Sequence, residues 1–377
     1  MASLSWQAFA TTSYTSLPGL YELDLTVGRT NRVDPYGADT GTLRFRNIGS
    51  WSYQPKIGDL ISIFADSDYA YPTFGGFVRD ISYQYGIISN EDEAQIDVEG
   101  VISLLGRKTL TSFTTTATKS LNQVDQVCDE VGITTYNDAG KSTVQTQTYS
   151  GNALDLVNTL IATEAGFMNE VFDDINNECT LFLTDRRSFP TPVGATYNGT
   201  KPAQFADTPS ADINYLAYNA ITFKSAADNY YTQVTVEPQG LTTQVASKGA
   251  KPYRGYAITT LDATTAQADD LAEYLVSMFS SKISYPTSIT LQYEGQPTTR
   301  KQALFRDLIS TGNMAVIRGQ IVFRGTTYNV NVEGSNLHAD LSSGTTLTMH
   351  FSSTEMMQFL ELDDTLYGTL DANKLGF

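Results

Sequence analysis

Apolar and polar residues alternate singly over much of the first hundred positions. This pattern marks half-buried strands, because successive side chains of a strand point to opposite faces. Tyr21-Glu-Leu-Asp-Leu-Thr-Val27 alternates in this way. Thr42-Leu-Arg-Phe-Arg46 repeats the pattern after a turn-rich connection holding Asn31, Asp34, Pro35 and Gly37. Pro55-Lys-Ile-Gly-Asp59 turns the chain into Leu60-Ile-Ser-Ile-Phe64. Phe74-Gly-Gly-Phe-Val-Arg-Asp-Ile-Ser-Tyr83 follows, and its glycine pair predicts a bulge or a barrel corner. Asn90-Glu-Asp-Glu93 forms a polar hairpin tip. Ala94-Gln-Ile-Asp-Val-Glu-Gly-Val101 closes the set, with strand-like text running to about Leu105. Short strands at this turn spacing predict a small barrel or sandwich.

The period then changes. Leu121, Val124, Val127, Cys128 and Val131 fall at helical spacing, with Gly132 placed as a C-terminal cap. A second helix is predicted over Asn152 to Ala165, with Leu154, Val157, Leu160 and Ile161 as its buried stripe and Gly166 at its end. Phe167–Phe172 and Glu178–Leu183 pair across the turn Asp173-Asp-Ile-Asn-Asn177, completing a compact α+β unit. Ser188 to Ser210, rich in Pro, Thr and Gly, predicts a crossing loop. Strands resume at Ala220–Phe223 and Thr232–Val236. A strong helix follows from Thr264, where Thr264 and Gln267 have capping-box spacing and Ala268, Leu271, Ala272, Leu275, Met278 and Phe279 share a face. Thr287–Tyr293, Gly319–Phe323, Thr327–Val332 and Thr345–Phe351 read as further strands.

These elements predict a β-rich α+β fold: two small β-barrel or sandwich domains, an inserted α+β domain, and one helix packed on the second β domain. The expected divisions are 1–108, an N-terminal barrel-like domain; 109–190, the insertion; 191–352, the second β-rich domain with its helix at 264–280; and 353–377, a C-terminal extension.

Composition narrows the function. Aromatics reach 11% with 22 tyrosines while charged residues are 17%, against roughly 25% in an average domain; this suits half-exposed strands and excludes a disordered chain. The 24 basic and 41 acidic residues leave a net charge of −17. A groove for phosphates needs clustered Lys and Arg, and here the nearest approaches are the pairs Arg186-Arg187 and Arg300-Lys301. The first 28 residues hold no Lys or Arg and apolar runs are short, so neither a secretory signal nor membrane insertion is expected. Cys128 and Cys179 have neither metal nor disulfide-framework spacing and predict buried thiols.

Candidate chemistry is sparse. Acid–base and nucleophilic catalysis usually recruit a histidine, and only His338 and His350 occur; His350 holds an alternating strand position and His338 lies near a turn. No nucleophile-elbow, zinc-protease or phosphate-loop motif is present. Asp173-Asp174 with Glu178 could offer oxygens to calcium, but the order of residues is that of a hairpin turn, and Asp363-Asp364 reads as a solvated loop. Tyr69, Tyr71, Tyr83 and Tyr85 crowd one region, as a saccharide platform or as cross-strand pairs. Accordingly no catalytic, metal or cofactor residues are expected, and no enzymatic activity.

Several phrases in order resemble the minor tail proteins of the baseplate-hub family of long-tailed bacteriophages. Leu23–Arg29 with Gly41–Asn47 looks like the family's opening pair of strands, and Pro55–Asp59 like the turn that follows. Phe74–Asp80, Gln95–Arg107, Ala153–Val157 with Glu164–Phe167, and the closing Leu360–Leu375 match later phrases. Gly100 departs from the family's small Ala, the closing phrase lacks Trp and Arg, and residues 1–20 have no counterpart. The resemblance implies a structural subunit at the virion tail tip, assembled in the host cytoplasm and forming a homotrimeric ring. It implies as partners the tail tube or distal tail protein, the tape measure protein and tip or fibre proteins, with DNA passing through without specific binding. A C-terminal hydrolase of the kind some relatives carry is not expected, the chain ending at Phe377. A receptor- or carbohydrate-binding tail adhesin is the alternative.

Overall fold

The computed structural model describes residues 4–10, 13–66, 71–86, 92–137, 140–185, 203–207, 215–223, 230–249, 251–280, 285–310, 318–353, 359–360 and 374–375. Leu20–Gly28 pairs antiparallel with Thr40–Arg46, which pairs with Glu93–Glu99; the long strand Tyr71–Gln84 comes next. Leu60–Ala65, Trp6–Ala10 and Thr15–Ser16 extend the sheet outward in that order. On the other side, Thr326–Asp340 runs antiparallel to Leu20–Gly28, with Leu337 opposite Leu25. One edge of Thr326–Asp340 continues through Arg318–Phe323 and Ala203–Ala206 to Tyr215–Ala217. The other continues through Gly344–Ser353 and Pro286–Gln292 to Ala220–Phe223. Fourteen strands thus form one hydrogen-bonded sheet whose path does not close among the described strands.

The β-rich α+β class is as expected, but the two β-rich stretches are not separate closed barrels. They share a sheet and a core: Leu23, Phe45 and Ile96 from the first stretch lie in one buried cluster with Phe205, Ile321 and Leu347 from the second.

Register shifts interrupt the two longest strands. In Thr326–Asp340 the pairing shifts between Val332 and Gly334, leaving Glu333 as the extra residue. Inward residues are Val330 and Val332 before it, and Leu337 and Ala339 after it, so the bulge reverses the phase of the strand. Tyr71–Gln84 shifts near Thr73 and again at Arg79. Its predicted glycine bulge is therefore flanked by the irregularities rather than centred on them. The glycines serve close packing: a Cβ on Gly75 would fall inside the Phe172 ring, and one on Gly76 would stand 2.8 Å from the Glu99 carbonyl.

Every residue of Leu60–Ala65 is buried, because the sheet is covered on both faces there. Ile61, Ile63 and Ala65 enter the main core, while Leu60 and Phe64 meet the unit formed by residues 109–184. That unit contains α2 and α3, and the helix preceding it is α1: α1 is Ile102–Arg107, α2 Ser120–Val131 and α3 Ala153–Glu164. α2 ends on left-handed Gly132 as predicted. α3 starts on Asn152, whose Oδ1 accepts from the Leu154 amide at 2.9 Å, and its left-handed cap is Ala165 rather than Gly166. Phe167–Asp173 and Glu178–Thr184 form the expected hairpin, with Thr135–Asn137 added in parallel. Helix α4, Thr265–Phe279, begins on Thr264 and packs on a three-stranded sheet of Gln233–Pro238, Gln244–Ser247 and Gly255–Thr260.

Several features depart from the sequence reading, among them unread strands at Trp6–Ala10, Thr109–Thr114, Thr148–Asn152, Gln244–Ser247 and Gly255–Thr260. The text after Glu99 is α1 and not strand; Ala203–Ala206 is a strand inside the expected crossing loop; α4 covers its own small sheet; and a fifth helix, α5 (Thr299–Ile309), is present. Residues 186–200, with Arg186 and Arg187, lie outside the described residues, as do Tyr69, Asn90, Asp363 and Asp364. No helix among the described residues is long and apolar enough to cross a membrane.

Candidate functional site

The segment 29–39, expected as a simple turn-rich connection, is where the units are fastened together. It leaves Leu20–Gly28 where that strand's antiparallel pairing with Thr326–Asp340 ends, Gly28 lying opposite Gly334. The two backbones meet there through glycines: a Cβ on Gly334 would stand 2.5 Å from the Val27 carbonyl oxygen, and one on Gly28 only 2.9 Å from Gly334 Cα. Gly28 also has φ +71°, a region where a side chain is strained.

Arg29 turns inward beside this glycine pair. Its Nε donates to Glu333 Oε2 at 2.8 Å, its Nη1 donates to the Asp34 carbonyl at 3.1 Å, and its guanidinium lies 4.2 Å from the Tyr36 ring centre. Ser352 Oγ donates to the other Glu333 oxygen at 2.5 Å. The Arg29 and Glu333 side chains are 8% and 1% exposed, so this pair is held in the interior. The Glu333 bulge is what turns its carboxylate toward Arg29, and the Arg29 amide in turn donates to the Glu333 carbonyl at 2.9 Å.

Three more anchors follow along the segment. Arg32 lies over the Phe167 ring at 3.8 Å and donates from Nη2 to the Ala165 carbonyl at 2.6 Å, satisfying the end of α3. Tyr36 exchanges bonds with the Asn158 amide side chain, at 3.2 Å and 3.3 Å. Asp39 donates its amide to Glu170 Oε1 at 2.9 Å, receives the Gly100 amide on its carbonyl at 2.7 Å, and receives the Gly28 amide on Oδ1 at 2.7 Å. Burial raises the Asp39 carboxyl to about 7. Burial and then the neighbouring Asp39 charge raise Glu170 well above the ordinary carboxylate range.

A cleft of about 280 Å³ opens between residues 29–36, α3, Tyr256 and α4. Its ionisable lining is Arg29, Arg32, Asp34, Tyr36 and Tyr256. Both arginines donate to the protein's own oxygens, so what this arrangement can do is hold three units in fixed relation.

The residues singled out from the sequence are dispersed. His338 Nδ1 lies 2.6 Å from Asp24 Oδ1, and that hydrogen bond raises its pKa. His350 contacts Asn336 at 2.9 Å, and burial lowers its pKa. The two histidines sit on neighbouring strands of the sheet, each with its own partner. Asp173 accepts from the Ile175 and Asn176 amides at 3.0 and 3.2 Å, ordering its own turn. Among the described residues no group of His, Cys, Asp or Glu is arranged to hold a metal. Cys128 and Cys179 are free and buried, and burial pushes the Cys128 thiol up to about 12. Lys301 is buried in the first turn of α5, so Arg300-Lys301 forms no basic patch. Tyr83 and Tyr85 stack with ring centres 6.2 Å apart, while Tyr71 sits elsewhere, under Arg306.

Sequence reasoning missed Arg29, Asp39, Gly100, Glu170 and Glu333 as a group. A signal existed for one of them. Glu170 interrupts the apolar run Phe167-Met-Asn-Glu-Val-Phe172, whereas Glu333 continues the alternation of Thr327–Val332 and reads as one more outward residue. What joins them is contact across 131 and 304 positions of chain, which no local pattern carries.

No family model and no curated protein matches the sequence. Solved structures do. The tail protein from Neisseria meningitidis MC58 superposes with a TM-score of 0.61 at 11% identity, over 93% of this chain and 98% of that one. The 43 kDa tail protein of prophage MuSo2 from Shewanella oneidensis gives 0.60 at 14% identity, over 94% and 99%. At such identities the likeness establishes a shared fold over essentially the whole of each chain.

Proposed function

We propose that this protein is a structural subunit of a bacteriophage tail tip, of the baseplate-hub or minor tail kind. The observation that carries this reading is the end-to-end superposition on two tail proteins, which leaves no large part of either chain unaccounted for. The joint around residues 29–39 supports it: the polar side chains most deeply buried there bind the units to one another.

The finer reading is a homotrimeric ring that joins the tail tube, or the distal tail protein, to tip or fibre proteins, with the tape measure protein as a further partner. DNA passes through the ring without specific binding. A net charge of −17 favours this, since a wall rich in carboxylates repels phosphates and lets DNA slide. The subunit performs no catalysis in this role and takes no cofactor. It reaches the virion tail tip after assembly in the host cytoplasm.

Gold-labelled antibody against the chain, applied to particles of the virus that encodes it, tests the reading directly. Label at the tail end of the particle is expected, and particles lacking the chain would overturn it. Native mass measurement of the purified protein, alone and with distal tail protein, tests the ring; a monomer in both conditions counts against a trimer.

A tail adhesin that binds carbohydrate remains a second reading because of one observation, the stacked Tyr83–Tyr85 pair with Tyr85 70% exposed. Glycan-array binding that disappears in Tyr83→Ala/Tyr85→Ala would favour it.

A further inference from the structure

Glu170 is an ionisable residue facing inward on a strand that docks one unit onto another. It comes from Phe167–Asp173 of the α+β unit and enters the seam with the β-scaffold, where its carboxyl meets Asp39 and Gly100. The fit is tight: a Cβ on Gly100 would fall inside the Glu170 carboxylate.

The charged and titratable groups facing the seam can be named from each element. The 29–39 segment contributes Asp39. The end of Glu93–Glu99 contributes Glu99, which is paired with Arg107 of α1. Glu178–Thr184 contributes the Cys179 thiol, raised by burial and by the Glu170 and Asp39 charges. Backbone amides of Asp39, Ile102 and Val101 favour the charged form of Glu170 but are outweighed by burial and by Asp39. The basic residue of α1, Arg107, is engaged with Glu99. Two inward carboxyls therefore share an interior in which one negative charge is tolerated far better than two.

We propose that the Asp39–Glu170 pair is a proton-dependent fastening, seating the α+β unit firmly on the β-scaffold while it holds protons and loosening that seat when both carboxyls ionise.

The sign follows from linkage. Asp39 titrates near 7 when folded, against an ordinary value of 3.8, so the folded form holds the extra proton between those values. The stability this contributes is complete below the ordinary carboxylate pKa and is lost as pH rises toward 7. Glu170, raised in the same direction, adds a loss of the same sign as pH rises. The population with an opened seam should rise by about tenfold per pH unit for each proton released.

Hydrogen exchange on the full chain, corrected for the intrinsic pH dependence of amide exchange, measures this opening. Between pH 5.5 and 7.5, protection of segments 100–107 and 167–184 should fall at least tenfold, while the strands Pro286–Gln292 and Gly344–Ser353 change little. Asp39→Asn/Glu170→Gln should flatten the dependence in the seam. Equal protection at both pH values in the wild type would overturn the proposal, as would a fall spread evenly over the molecule. A folded double variant that keeps the wild-type dependence would do the same. The wild-type comparison stands if that variant fails to fold.

Discussion

At the residue scale the chain places strongly polar side chains where only a matched partner makes them tolerable. Removing one member of a buried ion pair leaves a desolvated charge, whereas replacing both by apolar groups removes the problem. Arg29→Met or Glu333→Leu should therefore each lower stability by about 3–5 kcal/mol, and the double variant by much less than their sum. Denaturant titration of the four proteins checks this, and additive losses would mean that the pair does not act as a unit. Gly100→Ala should cost about 1–3 kcal/mol by overpacking against Glu170, and much less in a Glu170→Ala background. The two histidines give an internal comparison, since they differ in environment. Bonded to Asp24, His338 should titrate above the ordinary value of roughly 6.5, and buried His350 below it. For His338 the stabilisation is complete below its unfolded pKa and fades as pH rises through the raised one. Proton NMR resolves both rings, and coincident midpoints would contradict these environments.

At the element scale, local signals worked wherever one pattern had one cause. Thr264 before an apolar stripe starts α4 as predicted, and Thr264→Ala should cost about 1 kcal/mol through loss of the bond to the Gln267 amide. Thermal unfolding of that variant provides the check. Where two causes overlap, the pattern misleads. In α5 the apolar residues Leu304, Phe305, Leu308 and Ile309 crowd its second half, while a buried Lys301 breaks the stripe in the first. In Thr326–Asp340 the Glu333 bulge reverses the alternation midway, so the sequence shows a strand ending at Val332 where the structure has one 15-residue strand. The Gly75-Gly76 pair was visible as an irregularity, yet its purpose depends on Phe172, about a hundred positions away.

At the scale of the whole molecule, the shared sheet has a mechanical consequence. Strands Thr40–Arg46 and Gly344–Ser353 are far apart in sequence, but each is one strand removed from the Leu20–Gly28/Thr326–Asp340 pairing, and they contribute to one core. They should open together. Leu25→Ala, which deletes buried volume at that pairing, should lower hydrogen-exchange protection in both strands by a similar factor. Loss confined to Thr40–Arg46 would show that the two β-rich stretches behave as separate domains. The α+β unit has its own core around Leu121, Val157 and Leu181, and the α4 sheet has another around Val234 and Leu271. The segment 29–39 joins these cores through polar contacts.

Among the described residues, about half of the strands, the helices α2, α3 and α4 and the β-rich α+β class were legible in the order of residues, because side-chain periodicity and capping are set within a few positions along the chain. Tertiary structure decided the rest. It joined the two β-rich stretches through Gly28 and Gly334, brought Arg29 to Glu333, and set Asp39 against Glu170. Each of these depends on a long-range approach in which desolvation and close packing, not neighbours in the chain, determine what a residue does.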